Sequence, residues 1–274
     1  MKSRRKILTN ILRGIVAVAI VFSFAFPIYF TINVSLSSKT YISIGSLLPD
    51  LYLGNWKDLL TLERWANAIR NSLIISAACV LVGLILAIPA GYVFARIRFG
   101  GDRHFFFWLL TNRMAPPVVL SIPYLLMFRS MGIWDTQYGT VLAFMVFNIP
   151  IAIWLIASFV VTIPREIDYA AFLDGYSIWR YFRRILLPVI APGIAVTAFF
   201  IWMYSWNEMF LASVVTSARS KTLTAELLTT VGRLGWGIEY GVASAGAVVT
   251  LIPGLALLYW ARKYLIRGFT FGRL

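Results

Sequence analysis

Six apolar runs recur along the chain, at residues 13–35, 71–96, 105–130, 138–162, 189–214 and 241–264. Each is long enough to cross a hydrocarbon layer, which takes about 20 mostly apolar residues in a helix. Runs without in–out alternation exclude a membrane β-barrel, and a lipid-embedded backbone then has only the helical solution. The pattern predicts an all-α polytopic membrane protein with six transmembrane helices. The first run follows MKSRRK and has the outline of a secretory signal. Its apolar part, GIVAVAIVFSFAFPIYFTI, exceeds the roughly 7–15-residue core of a cleaved signal and reads as a retained span.

One connection breaks the pattern. Neighbouring helices are usually joined by about 2–8 residues, yet residues 163–188 separate the fourth and fifth runs. That insert carries Arg165, Arg180, Arg183, Arg184, Glu166, Asp168 and Asp174. Pro164 suits a helix start, and Glu166 and Asp168 complement the dipole there. Tyr169, Phe172, Leu173 and Tyr176 follow at helical spacing and form an aromatic ridge, with the small Ala170 and Ala171 beside it. Gly175 suits a sharp end to this first piece. A second piece runs from Ser177, a suitable N-cap, to Pro188. Trp179, Phe182 and Leu186 share one of its faces, and Arg180, Arg183 and Arg184 another. Such a helix lies flat at the headgroup boundary. The insert thus reads as a projecting knob on an interfacial elbow; a merely amphipathic loop is the bland alternative.

Charge gives the insert a side. Composition is 60% hydrophobic and 13% charged, about half the charged share of a soluble domain. The net charge of +14 is better explained by lysine and arginine gathered on the cytoplasmic face than by nucleic acid. With the N-terminus inside, 16 of the 25 basic residues fall in the segments 1–13, 96–103, 165–184 and 262–273. Eight fall on the other side, and Arg113 lies within a span. Both termini and the insert are therefore expected in the cytoplasm. The division is an N-terminus at 1–12, a permease domain at 13–264 and a tail at 265–274.

PREIDYAAFLDGYSIWRYFRRILLPVIAPG resembles the loop of permease subunits in bacterial ATP-binding-cassette importers. That pattern runs E-A-A-x-x-x-G, about nine residues, then I-x-L-P. Ala170, Ala171, Gly175, Ile185, Leu187 and Pro188 stand at matching positions, while Tyr169 replaces the glutamate and Asp168 precedes it. SWNEMFLA, KTLTAELLTTVG and YLIRGFTFG are similar to other segments of the carbohydrate branch, the relatives of the maltose transporter's smaller permease. The resemblance, from about residue 70 onward, implies a type I importer permease fold. It also implies a coupling helix seated in an ATPase subunit, with Glu166, Asp168, Tyr169, Ala170, Ala171, Phe172, Asp174 and Gly175 at the contact. The implied partners are a second homologous permease, a pair of ATPase subunits that bind ATP and magnesium, and an external solute-binding protein docking on the loops at 36–70 and 215–240. Membrane lipid surrounds the spans. This chain has no glycine-rich loop ahead of Lys39-Thr40 or Lys221-Thr222, so it encodes no phosphate cradle and no cofactor site of its own. One cysteine, Cys79, and one histidine, His104, offer neither a disulfide nor a metal cluster, and no hydrolytic motif is present. Cys79 reads as a core residue and His104 as interfacial.

Ionisable groups at membrane depth cost roughly 2.5–3.5 kcal/mol each at a helix centre and mark function by default. Arg113 and Glu208 qualify. On straight helices they lie on the order of 12 and 28 Å from the cytoplasmic ends, too far apart for a direct bridge. Pro116 and Pro117 remove the N–H groups that would bond the carbonyls of Asn112 and Arg113, so the third span should break there. Either Asn112 and Arg113 line a passage, or a kink lets the arginine cap a neighbouring helix. Asn148, Tyr204, Trp206 and Asn207 pair aromatic faces with amide donors suited to sugar or polyol hydroxyls; each is equally an ordinary packing residue. Glu208 is a pathway, gate or capping residue. The sequence favours an ATP-driven sugar or polyol importer, over a permease for another solute and over an ion-driven secondary transporter.

Overall fold

A computed structural model describes the backbone of residues 2–232 and 239–270, and their side chains other than 2–9, 11, 257–258 and 260–270. Residues 271–274 of the expected tail, 233–238 of the expected docking loop and the side chains of the first basic cluster lie outside the described residues. Among those described, the chain is helical and without strands.

The helices are α1 (Lys2–Ser35), α2 (Lys39–Ser43), α3 (Gly54–Thr61), α4 (Glu63–Arg96), α5 (Asp102–Met114), α6 (Pro117–Ser130), α7 (Gln137–Val161) and α8 (Arg165–Leu173). They continue with α9 (Ile178–Val189), α10 (Ala191–Asn207), α11 (Phe210–Val215), α12 (Leu223–Val231) and α13 (Tyr240–Thr270). Leu12–Ser35, α4 and α7 are each long and apolar enough to cross a membrane. Two bent pairs qualify together: α5 with α6 at 92° and α9 with α10 at 79°. A shorter apolar helix covers Tyr240–Ala256.

The expected break in the third span is present. Ala115 and Pro116 are extended, Pro117 opens the next helix, and the freed carbonyl of Asn112 accepts instead from the Ala115 N–H at 3.3 Å. The fifth span departs from expectation in two ways. The chain turns at Ile190 rather than at Pro188, with Pro192 at the start of α10. The helix then stops at Asn207, not at 214, because Glu208 is extended and opens the short α11.

The chain divides into two compact units. In the first, Met1–Glu63 with Thr230–Val249, the end of α1 is tied by side-chain amides. Asn33 donates to the Ser46 carbonyl at 2.8 Å, and buried Asn55 donates to the carbonyls of Ser35 and Ser37 at 3.2 and 2.8 Å. The second unit, Arg64–Thr229 with Thr250–Leu274, is built around α7. Ala143, Phe144, Phe147, Ala152, Ile156 and Val160 of that helix are buried, and Cys79 lies buried in the same core. Two glycines let neighbours approach α7 closely. A Cβ on Gly91 would stand 2.7 Å from Ile156 Cγ2, and one on Gly193 2.4 Å from Phe159 Cγ.

Candidate functional site

The insert folds as its sequence suggests. Pro164 caps α8 at its start, and Glu166 and Asp168 lie in the first turn. Gly175 ends the piece at φ +78°: its N–H reaches the Phe172 carbonyl at 3.1 Å, and the Tyr176 N–H reaches that of Ala171 at 3.1 Å. These two bonds form the glycine-terminated cap that reverses a chain after a helix. Ser177 then caps α9, its hydroxyl accepting from the Arg180 N–H at 3.4 Å. Within α9, residues Phe182–Leu186 form a π-helical turn.

Two of the expected contact residues face inward. Asp168 and Ala171 are buried, whereas Glu166, Tyr169, Ala170, Phe172, Asp174 and Gly175 are exposed. Asp168 pairs with Arg96 at the end of α4, Oδ2 to Nε 2.6 Å, with both side chains almost fully covered. It also accepts the phenol O–H of buried Tyr181. Arg96 further donates to the Ile163 carbonyl at 2.8 Å. Tyr92 packs tilted against Tyr181 and edge-on to Phe182, at 5.8 and 5.0 Å between centroids. A buried carboxylate held by a guanidinium and a phenol is fully engaged within this chain, so Asp168 anchors the knob. The outer face belongs to Tyr169, Phe172 and Leu173, with Leu173 87% exposed.

The polar residues of the spans separate into two groups. Arg113, half-buried at the end of α5, donates to the Phe147 carbonyl at 3.3 Å and lies 4.3 Å over the ring of Tyr204. Phe144 and Phe147 flank the same ring at 6.3 and 6.0 Å. A planar cation on an aromatic face offsets part of the cost of its depth. The Tyr204 hydroxyl lies within electrostatic reach of Arg113 and of Glu208, although no direct Arg113–Glu208 ion pair forms among the described residues. Glu208 caps α11, its Oε1 accepting from the Leu211 N–H at 2.8 Å. Asn112 and exposed Asn207 each bond back to their own helix, at the carbonyls of Trp108 and Met203. The second group is turned inward. Asn148 is buried and donates to Ser205 at 2.9 Å, and Trp206 is buried with its N–H on the Thr250 carbonyl at 3.0 Å. Both join helices inside the unit.

Sequence reasoning missed a second cluster, at the opposite ends of α4 and α7. Asp135, at φ +55°, accepts from Ser217 N–H at 2.7 Å, Ser220 N–H at 3.1 Å, Ser220 hydroxyl at 3.0 Å and Arg219 N–H at 3.1 Å. Burial alone would raise its pKa; these four donors outweigh burial and hold the carboxyl below its ordinary value. Asn71 donates to the carbonyls of Arg219 and Lys221 and accepts from Gln137. Ser72 accepts from the Leu223 N–H, and buried Glu226 pairs with Lys221 at 3.2 Å and Arg64 at 3.8 Å. Asp135 is the only acid between the third and fourth runs, a signal that gains meaning only with its distant donors in view.

Comparison with known proteins fits this geometry. The family described as binding-protein-dependent transport system inner membrane component matches residues 79–271. The trehalose transport system permease protein of Mycobacterium tuberculosis is 26% identical over 248 residues, 90% of each chain. The diacetylchitobiose uptake system permease protein of Streptomyces coelicolor is 26% identical over 277 residues, 98% of each. Among solved structures, a bacterial transporter that imports the acidic polysaccharide alginate superposes with TM-score 0.79 at 22% identity, covering 94% of this chain and 96% of that one. An inward-facing methionine transporter superposes with TM-score 0.59 at 16% identity, covering 76% and 96%. The fold is that of an ATP-binding-cassette importer permease. With the family match spanning most of its length, this chain belongs to the inner membrane components of binding-protein-dependent transport systems.

Proposed function

We propose that the chain is one permease subunit of an importer for a sugar or polyol, driven by ATP hydrolysis in separate subunits. The observation that carries this reading is α8. It is a short helix fixed from behind by the buried Arg96–Asp168 pair, with Tyr169, Phe172 and Leu173 left uncovered. An aromatic and aliphatic face exposed in this way, touched from behind only where Phe172 meets Tyr181, fits a cleft in another polypeptide. ATP and magnesium belong to that polypeptide. A second, homologous permease completes the passage, and an external solute-binding protein delivers the solute. The relatives named for trehalose and diacetylchitobiose support the solute class. In this reading all six apolar runs cross the membrane, with both termini and the insert in the cytoplasm.

The passage contribution of this chain centres on Arg113 and Tyr204. Stacked on the phenol and bonded to one carbonyl, the guanidinium keeps further N–H donors for solute hydroxyls. Coexpression with the partner ATPase and permease subunits should yield a complex whose ATPase is lost when Tyr169, Phe172 and Leu173 are replaced together by serine. In proteoliposomes with the solute-binding protein, labelled disaccharides or glycerol should enter only with internal ATP. Arg113→Gln should weaken apparent uptake affinity roughly 10- to 150-fold, the worth of a hydrogen bond from a charged donor, and Arg113→Lys less. Retention of the ATPase by the serine variant overturns the coupling role. Unchanged affinity and rate in both Arg113 variants removes the passage role.

A further inference from the structure

A groove of about 590 Å³ opens between α4 and the elbow helix α9. Its walls are apolar: Leu84 and Ile88 from α4, and Trp179, Phe182 and Leu187 from α9. Arg183 stands at the rim, and Arg180 and Arg184 are exposed on the same short helix. The volume falls within the roughly 300–1,000 Å³ of small-ligand sites. The wall includes Trp179, 76% exposed, an expensive surface in water and an ordinary one in lipid.

Depth places the groove. The 34 residues of α4 span about 51 Å, longer than the roughly 30 Å hydrocarbon layer. Arg96, at the end of that helix, pairs with Asp168 in the charged insert and so stands beyond the layer. Ile88 lies eight residues earlier, about 12 Å back along the axis, at the inner edge of the hydrocarbon. An apolar slot beginning at that level, with three arginines on the helix that forms its rim and no acid among its lining residues, is complementary to one molecule: a phospholipid with an anionic headgroup.

We propose that this groove holds an anionic phospholipid, with an acyl chain between α4 and α9 and the headgroup phosphate on Arg183, Arg180 and Arg184. The proposal rests on the cytoplasmic placement of the insert but not on the identity of the solute. Its consequence is regulatory. Helix α9 joins the knob α8 to α10, so a lipid wedged against α9 braces the link through which force would pass from insert to span.

Binding is read by native mass spectrometry of the complete complex, titrated with dioleoyl phosphatidylglycerol or dioleoyl phosphatidylcholine. The intact complex should retain phosphatidylglycerol in preference. Removing arginine charge should weaken retention about five-fold per arginine in R183Q and in R180Q/R183Q/R184Q. Ile88→Trp, which fills the slot and leaves every arginine, should weaken it comparably. Brominated phosphatidylglycerol should quench a fluorescence component that is absent from W179F. Equal retention of the two lipids overturns the site. So does loss in the arginine variants with full retention in Ile88→Trp, which would mean headgroup attraction to the surface alone. A complex that binds phosphatidylglycerol in this way but transports no sugar leaves the site standing and refutes the proposed solute class.

Discussion

The 163–188 insert and the 215–232 loop close opposite ends of the same two helices, α4 and α7, and they are fastened by different means. The insert's polar tie is one buried ion pair, Arg96 with Asp168, supplemented by the Tyr181 phenol, while Ala171, Tyr181 and Leu186 pack into the core. The loop is held by many smaller ties: four donors on Asp135, three hydrogen bonds through Asn71, one on Ser72 and two cations on Glu226. A concentrated attachment leaves Tyr169 and Leu173 of α8 exposed. A distributed attachment fixes the backbone of its loop at several points. The same helices thus carry a part with one anchor at one end and a part with many at the other.

The largest expected effect breaks the single anchor. Arg96→Ala or Asp168→Ala strands a buried charge and should destabilise the second unit by about 3–5 kcal/mol. The combination Arg96→Met, Asp168→Leu and Tyr181→Phe removes all three polar groups together and should recover most of that loss. Recovery stays incomplete because the Ile163 carbonyl loses its donor. Thermal unfolding of the purified complex measures the stability, and amide exchange over 165–176 reports the knob itself. Single variants as stable as the natural protein, with unchanged exchange over 165–176, would deny the pair its anchoring role.

The distributed attachment should yield less to any one change. Asp135→Asn keeps an acceptor but sets an NH₂ group against a backbone donor, at about 1–3 kcal/mol. Its acid response should also change. The folded carboxyl titrates below its ordinary value, so its contribution is complete above the unfolded value and disappears as pH falls through the lower, folded one. The natural loop should therefore keep its amide protection at neutral and mildly acidic pH and lose it only in strong acid. In Asp135→Asn that acid limb should flatten. A loop whose protection falls with the same pH profile in both proteins would assign the acid limb to another group.

The contrast also explains what could be read from the sequence. Features set by neighbours in the chain were legible: the helix start at Pro164, the Ser177 cap, the glycine turn at 175 and the break before Pro117. The apolar runs gave the helical fold because period and length are local properties. The anchors were not legible, because their partners are far along the chain. Asp168 was expected at the ATPase contact, and only Arg96, 72 residues earlier, shows it engaged within the chain. Asn148 and Trp206 carried the donors of a sugar site, and only the opposing Ser205 and Thr250 identify them as interhelical ties. The helix that holds the second run begins at Glu63, eight residues before the run itself, because Glu63–Arg70 is helical but not apolar.

The smallest effect compares the two left-handed residues on which these regions turn. Gly175 has φ +78° with nothing within 4 Å of a built Cβ, so a side chain there meets backbone strain and no clash. Asp135 has φ +55° and accepts that strain to aim its carboxylate at three backbone N–H groups. Gly175→Ala should therefore cost about 1–2 kcal/mol, and Gly175→Asn less, since asparagine visits this conformation more readily. Because the cost arises at the cap, exchange should rise over 172–177 while Arg96 and Asp168 remain paired and the unfolding midpoint falls by only a few degrees. Asp135→Gly relieves its strain but deletes four hydrogen bonds, so it should destabilise despite the easier backbone. If Gly175→Ala instead lowers the global midpoint as far as Asp168→Ala does, the knob has a second anchor, and the distinction between its one tie and the loop's many fails.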